Sequence, residues 1–168
     1  MNKPLYYFFT KDHRRIEDIL DKAVEDINNI QLDYYHQFRT GLLRHIKMEE
    51  KILFPAAQNA NGGAPIPLAA KLRLDHGALT ALMVVPPDPA MIKVLRHVLE
   101  KHDILEEEPG GMYEICEKLI GGETQTLLKQ LEQVTEVPVH PHNEAAYALK
   151  AAKNALERAG FDFDALAK

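Results

Sequence analysis

Apolar residues recur through most of the chain in alternating steps of three and four, the spacing of one face of a helix. The first row reads Phe9, His13, Ile16, Leu20, Ala23, Ile27 and Ile30. Thr10 is read as the N-cap of a helix over about residues 10–30. A second row, Tyr35, Phe38, Leu42, His45, Glu49 and Ile52, predicts a helix over about 33–60, with Gly41 a cost inside it and Pro55 expected to kink it. A third, Ala69, Leu72, His76, Leu79 and Met83, predicts a helix over about 67–85. The fourth, Ile92, Leu95, Leu99, His102 and Glu106, follows the start signal Asp88-Pro89. Asn28-Asn29, residues 61–67 and residues 86–89 are turn-rich breaks between these rows. The pattern predicts an all-α fold, an up-down-up-down antiparallel four-helix bundle with extra C-terminal helices.

Beyond Pro109-Gly110-Gly111 the helical pattern resumes over 112–120 and, after Gly121-Gly122, over 124–134. A Pro-containing linker at 136–142 leads to a last helix, capped by Asn143, with the stripe Ala145, Leu149, Ala152 and Leu156 and an end at Gly160. The expected division is a metal-binding bundle over 1–122 and a helical extension over 123–168 packed outside it.

Six polar residues interrupt the apolar rows: His13, His45, Glu49, His76, His102 and Glu106. His45/Glu49 and His102/Glu106 are one helical turn apart, so each pair shares a face. One such pair alone is more often a surface contact than a site. Measured from the turns, however, all six fall in one layer of an up-down bundle. A buried polar group left without a partner costs about 1–3 kcal/mol, and a metal satisfies all six together. A hydrogen-bonded His/Glu layer without metal is the competing arrangement. Imidazole and carboxylate suit iron, with zinc or manganese as substitutes. Four imidazoles and two carboxylates fit two metals bridged by the glutamates, with open positions for a small ligand such as oxygen or nitric oxide.

The remaining polar residues weigh less. His97 and His36 are read as surface groups, and His140 and His142 as linker histidines. Glu50 is one residue off its row and is read as backing the ligands. Asp12 and Asp75, each beside a candidate ligand, are read as helix-surface charges. Tyr6 is read as a cover for the site or an aromatic core plug. The net charge of −5 with no basic block argues against nucleic acid as a partner. No apolar stretch is long enough for a bilayer. The single cysteine, Cys116, excludes an internal disulfide and fits a reducing, cytoplasmic setting. A homodimer is left open.

Asp12-His13, His45-x-x-x-Glu49-Glu50 followed by Leu53-Phe54-Pro55, Asp75-His76, and His102-x-x-x-Glu106-Glu107 together resemble the hemerythrin-like, HHE cation-binding family over about residues 5–120. The resemblance implies a non-haem di-iron centre, oxo- or hydroxo-bridged, with the six residues as ligands. It departs from the oxygen-carrying members at Thr80, where they place a second histidine, and at Glu106, where they place an aspartate one residue later. The pattern is closer to bacterial members linked to iron, oxygen or nitric-oxide sensing and to iron–sulfur repair. It implies a protein that binds or reacts with a small diatomic ligand in sensing, storage or stress response. An enzyme with ferroxidase, peroxide- or nitric-oxide-reducing activity, or a bundle merely fastened by metal, are the alternatives. From Thr80 the expectation is an additional open metal position, and therefore oxidation in preference to reversible oxygen carriage.

Overall fold

Pro4, not Thr10, starts the first helix of the computed structural model, which describes residues 2–168. Proline fits the first helical position because its missing N–H would have had no partner there. Helix α1 therefore spans Pro4–Ala23 and adds Leu5 to the buried row ahead of Phe9. Thr10 lies inside it. The helix also ends before the predicted Ile30. The Asp26 carboxylate accepts from the Asn28 amide at 3.0 Å, and the Gln31 amide donates to the Ala23 carbonyl at 2.8 Å. That Asx-type turn satisfies the chain without a further helical turn, and Ile27 is left exposed.

Helix α2, Leu32–Met48, runs without a break into a π turn, Glu49–Leu53, and then α3, Phe54–Ala60. Pro55 does not end the helix. It lacks an N–H and its ring crowds the carbonyl one turn back. In the wider turn the Phe54 amide donates instead to the Glu49 carbonyl, five residues back. The extra residue shifts the buried row, so Leu53 is buried where Ile52 was expected. Helix α4 is Ala69–Val84. Helix α5 is Pro89–Glu107, and the Asp88 carboxylate caps it by accepting from the Met91 amide at 2.7 Å. Then follow α6, Met112–Ile120, α7, Thr124–Glu132, α8, Ala146–Arg158, and α9, Phe163–Leu166. There is no strand among the described residues.

Two hydrophobic clusters fill the bundle, one towards each end. One holds Ile16, Leu20, Phe38, Leu42, Leu79 and Val98; the other holds Leu5, Phe9, Leu53, Phe54, Leu72 and Tyr113. On α1, α4 and α5 the histidine lies between the residues given to one cluster and those given to the other, and on α2 the change falls just after His45, between Ile46 and Met48. That requires neighbouring helices to run in opposite directions, as predicted. Helix α4 is buried on two sides, because α8 lies along its outer face with Ala152 and Leu156 buried. Helix α6 packs against α1, α3 and α5 and brings Tyr113 into the middle of the molecule. No helix among the described residues is long and apolar enough to cross a membrane.

Candidate metal centre

All six residues of the polar layer are buried, none more than 5% exposed. They form two groups. His13, His45, Glu49 and Glu106 bring ligand atoms within 4.8 Å of one another, and so do Glu49, His76, His102 and Glu106. The two glutamates belong to both groups. Each imidazole turns Nε2 inward. His13 Nε2 is 2.9 Å from His45 Nε2 and 3.2 Å from Glu106 Oε2, and His45 Nε2 is 3.1 Å from Glu49 Oε1. His76 Nε2 is 3.0 Å from Glu49 Oε2, and His102 Nε2 is 3.1 Å from Glu106 Oε1.

Some of these approaches are hydrogen bonds, as between His45 Nε2 and Glu49 Oε1, and others are not. Glu49 Oε2, His76 Nε2 and Glu106 Oε1 are buried without a hydrogen-bond partner despite their short approaches. They lie near each other but are not aligned as donor and acceptor. Ligand bonds of about 2.1 Å at right angles put neighbouring donor atoms about 3.0 Å apart. The unpartnered Glu49 Oε2, His76 Nε2 and Glu106 Oε1 therefore fit a cation, which would satisfy all three at a spacing the layer already has.

The outward Nδ1 atoms face carboxylates. His13 Nδ1 is 2.5 Å from Glu107 Oε1, His45 Nδ1 is 2.8 Å from Asp12 Oδ2, and His102 Nδ1 is 3.1 Å from Asp75 Oδ2. Glu50 Oε1 stands 3.4 Å from His76 Nδ1 without forming a hydrogen bond to it. A proton held on Nδ1 leaves the Nε2 lone pair directed inward, which is how carboxylates orient metal-binding histidines. Asp12 and Asp75 are thus not surface charges. Each points away from the histidine beside it and serves one on a neighbouring helix. Lys71 in turn contacts Asp75 and donates to the Ala159 carbonyl at 2.7 Å, linking this support to the end of α8.

Tyr113 enters the layer from α6, unanticipated from the sequence. Its hydroxyl donates to Glu49 Oε1 at 2.6 Å and lies 3.0 Å from Glu106 Oε2, 3.0 Å from His13 Nε2 and 3.2 Å from His45 Nε2. Its ring stacks on Phe9 with centroids 5.0 Å apart. Burial and the two carboxylates hold the phenol well above its usual range, so it is protonated without a cation. Tyr6 donates its hydroxyl to the Glu107 carbonyl at 3.1 Å and so backs the His13 partner without covering the centre.

Burial alone would lower the histidines, but the surrounding carboxylates outweigh it. His76 is pushed up to about 9 and His102 up to about 10. His13 and His45 also rise. Burial would raise Glu49, but the imidazoles hold it well below the usual carboxylate range. Asp103, 3.8 Å from His13 Nε2, is pushed up to about 7 chiefly by burial.

Thr80 is exposed to solvent. It does not face the layer, so the expected additional open position cannot arise from it. His97 is half-buried against Phe161, with ring centroids 6.0 Å apart. His142 lies 3.1 Å from Arg39 Nη1, and His36 and His140 are exposed. None of the four joins either ligand group. Cys116 is buried beside Met112, its Sγ 3.6 Å from the Met112 sulfur.

A profile of the hemerythrin HHE cation binding domain matches residues 5–159, from α1 through the end of α8. Comparisons with curated proteins and with solved structures each found no match.

Proposed function

The chain belongs to the hemerythrin HHE cation-binding family, and from that premise we propose that it is a non-haem di-iron protein that binds or reacts with a small diatomic ligand, oxygen or nitric oxide. The observation that carries the reading is that two groups of four buried donors share the same two carboxylates. His13 and His45 would hold one ion and His76 and His102 the other, with Glu49 and Glu106 between them. All six ligand groups are nitrogen or oxygen donors, a set suited to iron, zinc or manganese. Two iron ions would supply open coordination positions and one-electron redox steps.

The chain's own residues supply the rest. Glu107, Asp12 and Asp75 hold protons on the outer imidazole nitrogens and fix the ring orientations. Four imidazoles and two carboxylates leave two divalent ions with a net positive charge, which favours reducible or anionic ligands. A cavity of about 20 Å³ adjoins the layer, bounded by His13, His45, His102 and Asp103 on one side and Ile16, Phe38, Leu42 and Leu99 on the other. It has room for about one water-sized molecule. That size and apolar lining favour a diatomic ligand over a larger substrate.

The test is metal analysis followed by anaerobic reduction and stopped-flow mixing with oxygen or nitric oxide. About two irons per chain and a spectral change with either gas are expected. His45→Ala and His102→Ala should each lose most of the metal; full occupancy in both variants would place the site elsewhere. Iron at two per chain with no response to either gas would leave a centre that only fastens the bundle.

A further inference from the structure

We infer that Tyr113 is a seventh protein ligand of the centre, bound through its phenolic oxygen to the His13/His45 ion alone. The inference rests on the di-iron reading above. That oxygen lies 2.6–3.2 Å from the inward atoms of His13, His45, Glu49 and Glu106, which are the members of one ligand group and no others. Neighbouring ligands at about 2.1 Å from one ion stand about 3.0 Å apart. A cation drawn to those four donors therefore meets the phenolic oxygen as a fifth. His76 and His102 make no such contact with it.

The setting leaves the ring little freedom to withdraw. Tyr113 is fully buried, stacked on Phe9, and carried on α6, whose Met112, Cys116 and Ile120 are buried in the same cluster. Ligation exchanges the phenolic O–H bond for an oxygen–metal bond and releases one proton per chain to solvent, with no change in oxidation state. The consequence is an unequal pair. Tyr113 closes the His13/His45 position from the Phe9 end of the bundle. The His76/His102 ion keeps fewer protein donors, while the small cavity meets the layer from the opposite end at His13, His45 and His102.

The experiment loads the full chain with ferric iron and records metal content, the visible spectrum and resonance Raman spectra. Tyrosinate-to-iron charge transfer with enhanced tyrosine ring modes is expected, and ring-deuterated tyrosine should shift those modes in the unaltered protein. Tyr113→Phe should lose the band while keeping about two irons per chain, with helical content checked by circular dichroism. Two irons per chain without tyrosinate modes in the unaltered protein would overturn the inference and leave the di-iron reading standing. Modes that persist in Tyr113→Phe would assign them to another tyrosine and also overturn it. Failure of the unaltered protein to bind iron would overturn both. If the variant does not fold, the deuterium-sensitive modes of the unaltered protein and their excitation profile still decide whether tyrosine ligates.

Discussion

A residue next to a ligand on a helix points about 100° away from it. Asp12 and Asp75 look unrelated to the centre when judged against His13 and His76, their chain neighbours. Across the bundle they face His45 and His102 instead. The six-residue layer could be read from spacing because its members share helix faces, but partners between helices need the packed structure. Tyr113 escaped for a related reason: it lies on α6, outside the four rows. Thr80 stands one turn after His76, a spacing that predicts a shared face, yet its side chain is exposed. Asp12→Asn and Asp75→Asn should each weaken metal binding about 10–100-fold with little change in helical content. Competition with a chelator measures this; unchanged affinity in both would show that the carboxylates do not orient the rings. The same histidines set an opposed pH dependence. Without metal their raised pKa values contribute stability that is complete below the ordinary value of 6.5 and lost as pH rises through about 9 to 10. The lowered Glu49 contributes above the ordinary 4.5 and loses its share as pH falls through its depressed value. The metal-free protein should therefore be most stable between those ordinary values. Metal requires neutral imidazole, so its affinity should fall as pH drops through those raised values and continue to fall below about 6. Melting curves with and without metal should diverge as pH rises from 6 to 8; a metal-free curve flat from 6.5 to 10 would refute the ionised-histidine description.

At the scale of elements, periodicity located every bundle helix and missed boundaries where local chemistry decided. Pro4 started α1 early, and the Asp26 turn ended it early. The π turn is the harder case. Its extra residue changes the burial of Ile52 and Leu53, and a pattern written in steps of three and four contains no symbol for it. The turn begins at Glu49, one of the two shared carboxylates, and π turns are frequent at functional sites. Helix α8 also altered the picture, because α4 buries a second face only in its presence. Leu156 has no exposed surface. Leu156→Ala should cost about 2–5 kcal/mol in denaturant unfolding. A loss near zero would show that α8 rests on α4 without sharing its core. Through Lys71, which joins the Ala159 carbonyl to Asp75, the same variant should also weaken metal binding measurably.

The whole molecule is two apolar clusters with a charged layer between them. Any metal that binds the folded layer and not the unfolded chain stabilises by mass action, about 4 kcal/mol at a free concentration a thousandfold above Kd. Calorimetry of the metal-free and iron-loaded protein should show a corresponding rise in Tm, and no rise would argue against a preformed site. The position of the layer has another consequence, for assembly. Four apolar rows alone would tolerate sliding of one helix along its neighbours, since leucine against leucine differs little from one turn to the next. Here a slip of one turn would carry His13 towards Phe38 and Leu42 of α2, or His76 towards Leu95 and Val98 of α5, and leave a charge with no counterpart. Breaking a buried ion pair in that way costs about 3–5 kcal/mol. The six residues thus act as a vernier for the bundle, selecting one alignment of four helices before any cation arrives.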